Sequence, residues 1–292
     1  MAKKKSTKRK KTTRDPEVAE RNKRIAIGAS LVVLAGAVFV SGAMGVAELD
    51  RAAASTIVSG TPEVVIRWDT LSDGSVWMPR HEQERLNLAI ARAVQGGQAL
   101  SAEPLKEAVL TLQNSGWVRG VPEARWTSEG QIVLDAAWRV PAAAVRVGSR
   151  EVIIDWDRYV LPLDYAIGQS NQYYFTNTDA PLPQTGQQWM GTDLQDGITL
   201  LRELSKNDLL EQVAGFDLGS GADSGVISII TKRGTRVVWG GGPGRERPGE
   251  KNTSVKLDRL RVLYERAGLI DGGVPYVDLR GKDIMIDSNP GG

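Results

Sequence analysis

The side chains best suited to chemistry are few and poorly placed for catalysis. The chain has one histidine, His81, and no cysteine. Thiol nucleophiles, disulfides, thiolate zinc sites, cysteine-ligated iron–sulfur clusters and a multi-histidine metal site within one chain are therefore excluded. A Ser–His–Asp triad has only His81 to draw on. That residue sits between Arg80 and Glu82 at an expected helix start, the setting of an exposed helical histidine. Gly244–Lys251 (GRERPGEK) approaches a phosphate-binding loop, but Glu250 stands where a lysine is needed and Lys251-Asn252 lacks the magnesium-binding hydroxyl. Carboxylates repel phosphate, so the stretch reads as a surface loop. Asp and Glu are plentiful, yet no pair stands out as the two carboxylates of a glycosidase. Eight Trp against three Phe suggest sugar stacking. However, Trp126, Trp138, Trp156 and Trp239 lie in strand-like runs, where packing is the default. Asn252-Thr253-Ser254 fits a glycosylation sequon, which matters only in a eukaryotic secretory pathway. The expectation is a chain with no catalytic residue, no metal, no cofactor and no small-molecule substrate.

The charges divide the chain more sharply than its net +2 implies. Residues 1–24 hold eleven Lys/Arg against Asp15, Glu17 and Glu20, a net of +8, while the remainder carries 26 positive and 32 negative charges, a net of −6. The basic tail has too few apolar residues to fold and no aromatic residue to stack on bases, so it reads as a disordered orientation signal against anionic lipid rather than a nucleic-acid binder. Ile25–Ala47 follows, 23 residues without a charge. As a helix it reaches roughly 34 Å, enough to cross a hydrocarbon core of about 30 Å. Arg21, Lys23 and Arg24 before it and Glu48 and Asp50 after it leave the tail in the cytoplasm and export the rest. A cleavable signal peptide is the alternative, supported by Gly45 and Ala47 before Glu48. The length of the apolar run favours a retained anchor.

The elements beyond the anchor come next. After a linker over 48–62, EVVIRW (63–68) is a strand candidate. Glu82–Gln95 puts Leu86, Ile90 and Ala93 on one helical stripe. A second helix opens at Ser101 with Pro104 in its first turn and ends at Gly116. VRGVPEARWT, QIVLDAAWRVPAAAVRV and EVIIDWDRYVLPL are β-rich segments separated by turns. Leu163–Gly191 is polar and reads as a long loop, with Tyr173-Tyr174-Phe175 packing down on its own domain. A helix over Leu194–Val213 precedes a hairpin around Arg233-Gly234. Another helix runs over Val255–Ala267 and closes at Gly268, and a last strand runs from Val274 past Gly281 to Asp287. With 41% hydrophobic and 25% charged residues, this is a globular α+β protein.

The order of these pieces, together with short local motifs, resembles the bacterial cell-division family FtsQ/DivIB. Trp138-Arg139-Val140-Pro141-Ala142-Ala143 is similar to that family's Glu-Arg-x-Pro-Val-Ala stretch, and Ile154-Asp155 with Leu161-Pro162 to its Val-Asp…Leu-Pro stretch. Gly234, Trp239-Gly240, Lys256-Leu257 and Leu260 resemble its hairpin, glycine loop and following helix. Tyr276-Val277-Asp278-Leu279-Arg280 resembles its final Val-Asp-Leu-Arg strand. Trp138 replaces the family's Glu, Arg158 stands where a turn glycine is usual, and Gly281 replaces a bulkier residue of some relatives. The resemblance implies a single transmembrane helix (25–47), an exported POTRA-like module (63–147), a β-rich C-terminal domain (148–287) and a short tail (288–292). It also implies a non-enzymatic scaffold at the inner membrane of the division septum, binding FtsB- and FtsL-type bitopic proteins. A terminal strand at a sheet edge offers unpaired backbone groups to a partner strand. The expected contact residues are Tyr276, Asp278, Arg280, Gly281, Lys282, Asp283, Ile284, Met285 and Ile286, with Arg280 and Lys282 engaging acidic side chains. For Asp278 and Arg280 the competing reading is an ion pair within the chain. For the whole chain the competing readings are an exported cell-wall enzyme or binding module, and a POTRA-containing export component.

Overall fold

The protein is seen in a computed structural model that describes residues 62–97, 100–221 and 224–287. Two amphipathic helices come first. α1 (Arg80–Ala93) buries Leu86 and Ile90, and α2 (Ala102–Asn114) buries Ala108 and Leu112, the stripes that 3.6-residue spacing requires. They cover a three-stranded sheet of β1 (Val64–Ile66), β2 (Val118–Trp126) and β3 (Ile132–Trp138), ordered β1-β3-β2. Ile66, Trp117, Ile132 and Leu134 close this first core. Trp138 stacks on Trp68 at 4.7 Å, the packing role expected of a strand tryptophan.

A two-residue joint, Arg139-Val140, then leads out of the small sheet. Arg139 is buried and held by Asp155 at 2.7 Å and by the Val118 carbonyl at 3.1 Å, with the Tyr159 ring 3.6 Å beneath it. Such a charge tolerates burial only when paired on this scale. Pro141 opens the next strand, and the segment that reads as one β-rich run in sequence becomes two strands in two different sheets.

The second sheet has nine strands. β4 (Pro141–Val147), β5 (Arg150–Asp155), β6 (Val160–Ala166), β7 (Tyr174–Thr176), β8 (Val213–Asp217), β9 (Ile227–Thr231), β10 (Arg236–Gly240), β11 (Tyr276–Asp278) and β12 (Met285–Asp287) are ordered β12-β11-β10-β9-β8-β7-β4-β5-β6. It is mixed: β4–β7, β7–β8 and β10–β11 are parallel pairs. Neighbouring parallel strands need a crossover, supplied by α3 (Thr192–Lys206) between β7 and β8 and α4 (Thr253–Ala267) between β10 and β11. Leu194, Leu201 and Leu204 of α3 and Leu257 and Leu260 of α4 share one core with Phe175, Phe216, Ile229 and Trp239. Gly197 lets α3 lie close: a Cβ there would meet Phe175 Cε1 at 2.7 Å. α4 is capped by the Asn252 side chain, which accepts from the Val255 N–H, and ends on Gly268 at φ +69°, the left-handed stop expected of that glycine.

This architecture corrects the expected one of a transmembrane helix followed by two separate modules. The chain is α+β with a large mixed sheet, and no helix among the described residues is long and apolar enough to cross a membrane. The stretch 25–47, where a crossing helix was expected, lies outside the described residues, as do the tails 1–24 and 288–292 and the linker up to residue 61. The boundary placed between 147 and 148 falls inside the β4–β5 hairpin. Ala143, Val145, Val152 and Ile154 face the second core while Ala144 and Ile153 face the first. A strand covered on both faces reads as an unbroken apolar run, and Ala142–Val145 and Val152–Ile154 are such runs.

Candidate functional site

The large sheet ends in β12, a three-residue strand paired only with β11. Which of its backbone groups are open follows from the ladder. In the parallel β10–β11 pair, the Arg236 N–H donates to the Pro275 carbonyl and the Leu279 N–H to the Val238 carbonyl. Odd-numbered residues of β11 thus turn toward β10, and Tyr276 and Asp278 turn toward β12. Their antiparallel partners are Asp287 and Met285, which face back. Ile286 is left with its N–H and C=O directed out of the sheet.

Two apolar side chains stand exposed there. Met285 and Ile286 are 66% and 52% exposed, while Ile284 is half-buried and packs against the second core. An exposed Ile286 is the continuation of Val277, its cross-strand partner, which is fully buried.

The remaining predicted contact residues are distributed differently. The expected continuous strand breaks after Asp278, and Leu279–Ile284 is a loop. Tyr276 is half-buried in β11. Asp278 is buried and bound to Arg280: Nε lies 3.0 and 3.1 Å from the two carboxylate oxygens, Nη2 is 2.7 Å from Oδ2, and the Arg280 N–H donates to Oδ1 at 2.9 Å. Burial pushes the Asp278 carboxyl up, but these hydrogen bonds outweigh it and hold the group below its ordinary value. The same pair raises Arg280 above its own. Arg280 is thereby engaged within the chain, and Gly281, Lys282 and Asp283 form the loop apex, with Lys282 and Asp283 exposed. Only Met285 and Ile286, with Ile284 behind them, stand together at the edge.

No family model matches this chain, and no curated protein matches it either.

The other candidate chemistry resolves into structural roles. In the loop 241–252, Glu250 accepts from the Gly241 N–H at 3.0 Å and pairs with Lys256 at 2.9 Å. Glu246 takes the N–H groups of Thr253 at 2.8 Å and Gly244 at 3.3 Å, and the Thr253 hydroxyl at 2.7 Å. Carboxylates thus occupy the donors a phosphate would need. Burial raises the Glu246 carboxyl, but these donors outweigh it and hold the group below its ordinary value. His81 is exposed at the start of α1, 3.7 Å from Glu82. Among the described residues no group of three or more His, Cys, Asp and Glu is placed to hold a metal ion.

One residue near the edge had no signal in the sequence. Arg259 of α4 donates through Nη1 to the carbonyls of Leu279 at 2.6 Å and Gly281 at 2.9 Å, and through Nη2 to that of Lys282. An arginine on the polar side of an amphipathic helix looks the same in sequence whether it is solvated or holds a loop.

Proposed function

We propose that this chain is a non-enzymatic scaffold of the FtsQ/DivIB kind, which links early division components to septal wall synthesis by adding a strand of a small bitopic FtsB- or FtsL-type partner to β12. The observation that carries the proposal is the outward-facing Ile286 backbone on an edge where Met285 and Ile286 are exposed, the arrangement that strand addition uses. The ordered motifs ending in Tyr276-Val277-Asp278-Leu279-Arg280 support the choice of partner class. Location at the inner membrane of the division septum, with the bulk of the chain exported, belongs to the same proposal and rests on the uncharged stretch 25–47 and its basic flank.

One outward residue gives two backbone hydrogen bonds, together about 1–3 kcal/mol. The side chains of Met285 and Ile286 must therefore carry much of the affinity. The test is co-purification from detergent-solubilised membranes, comparing the tagged full chain with a form ending at Asp283. That end point removes β12 and spares β11, whose Val277 belongs to the core. Recovery of small bitopic division proteins by the full chain and not by the shortened one is expected. Equal recovery by both, or turnover of cell-wall substrates by the purified chain, would overturn the reading.

A further inference from the structure

β12 is a strand with little of its own to hold it. Three residue pairs join it to β11, and a short two-stranded attachment of this kind is marginal in water. The loop that delivers it, however, is gripped. The carbonyls of Leu279, Gly281 and Lys282 converge on the single guanidinium of Arg259, and the Lys251 N–H takes the intervening Arg280 carbonyl at 2.9 Å. Charged donors make the stronger hydrogen bonds, and a planar fork fixes direction as well as distance. Arg259 is half-buried and grows from α4 one position before Leu260, which is fully buried. The Arg259 part of the grip is therefore rooted in α4 and the second core, and Lys251 of the loop 241–252 adds one backbone hydrogen bond.

We infer that Arg259 is the positioning residue of the edge: it latches the β11–β12 loop to α4 and so holds β12 where Ile286 can receive a partner. With the latch broken, β12 leaves β11, and the new edge is β11, with Tyr276 and Asp278 facing out in place of Ile286. The latch itself stands on the contacts of Arg259. Its consequence for a partner rests on the strand-addition reading.

The two are separated by reading the latch without any partner. Amide hydrogen exchange is measured on the full chain in detergent micelles for segments 275–287, 253–267 and 227–240, in wild type, Arg259→Gln, Arg259→Lys and Arg261→Gln. Arg261 is the control, since it pairs with Asp258 at 2.8 Å and with Asn207, away from the loop. Arg259→Gln is expected to raise exchange over 275–287 by about tenfold or more while the other two segments stay near wild type. Arg259→Lys should fall nearer to Gln than to wild type, because a point charge cannot reproduce the fork, and Arg261→Gln should change nothing over 275–287. Unchanged exchange in Arg259→Gln, an equal rise in all three segments, or full rescue by lysine would each overturn the latch. Recovery of the bitopic partner by Arg259→Gln should fall in step with the exchange. Undiminished recovery with raised exchange would overturn the positioning role. Absence of a partner on the wild type would sink the strand-addition reading and leave the latch to be judged by exchange alone.

Discussion

The two ends of the nine-stranded sheet are built on opposite lines. At one end, β6 carries Pro162, which has no N–H, and a register irregularity against β5. A loop closes over its start: the Val160 N–H donates to the Gln187 carbonyl at 3.0 Å and the Gly186 N–H to the Val160 carbonyl at 2.8 Å. Further along, Asp164 and Arg150 form a 2.7 Å ion pair on the surface. Proline, irregularity, cover and charge are the usual defences of an edge strand. β12 (Met285–Asp287) is only three residues long and ends on Asp287, but it has neither proline nor register irregularity, and Met285 and Ile286 stand exposed. The small sheet follows the β6 pattern: β2 is interrupted between Arg119 and Glu123 around Gly120 and Pro122, with Arg119 and Arg125 paired to Asp157 and Asp135. β1 (Val64–Ile66), the remaining edge, is apolar and as short as β12, with Val65 37% exposed; β12 differs in setting Met285 and Ile286 side by side in the open.

The comparison breaks most directly at Ile286. Ile286→Pro removes the outward N–H and leaves the inward bonds of Met285 and Asp287 in place. Partner recovery is expected to fall at least about tenfold. Leu163→Lys on β6 should leave recovery unchanged, and equal losses from the two substitutions would erase the distinction between the edges.

Acid should act at both ends. Burial pushes the Glu151 carboxyl of β5 up, but hydrogen bonds from Ser170, Gly168 and Arg146 outweigh it and hold the group below its ordinary value. Asp278 is the matching group beside β12. The Asp278 carboxyl is held below its ordinary value, so its contribution is complete above that ordinary value and is lost as the pH falls through the lowered one. Exchange over 275–287 should quicken in that window. Asp278→Asn should abolish the dependence over 275–287 and cost about 1–2 kcal/mol at neutral pH, since Arg280 is partly solvated. Denaturant midpoints measured at pH 7 and pH 3.5 check both statements.

Two substitutions at the defended end sharpen the contrast. Pro162→Val gives β6 back an N–H and a flatter strand, and a modest concentration-dependent rise in sedimentation coefficient is expected. The smallest effect lies in the β5–β6 turn. Arg158 sits there at φ +66°, the conformation that the FtsQ/DivIB resemblance assigns to a glycine. Arg158→Gly should stabilise the chain by about 0.5–1 kcal/mol in equilibrium unfolding.

The elements were more legible than their assembly. Leu86 with Ile90, and Leu257 with Leu260, announce buried helical stripes at the right positions, and Gly268 its stop. The unbroken runs Ala142–Val145 and Val152–Ile154 carry the signature of strands covered on both faces, but nothing in them says that the two coverings are different cores. The expected last strand runs on past Gly281, although Asp278, Gly281, Lys282 and Asp283 within it are poor strand formers. The break coincides with the Asp278–Arg280 pair, which the sequence already offers as a competing reading, and with the Arg259 grip, which spacing does not encode. Of the nine expected contact residues, Asp278 and Arg280 carried the competing reading of an ion pair within the chain, and that pair is present at 2.7 Å.

β12 is also the last described element in chain order, and it rests on β11, which reaches its place only after α4 has crossed over from β10. A partner pairing with Ile286 would thus depend on α4 and the Arg259 grip as much as on the strand it touches.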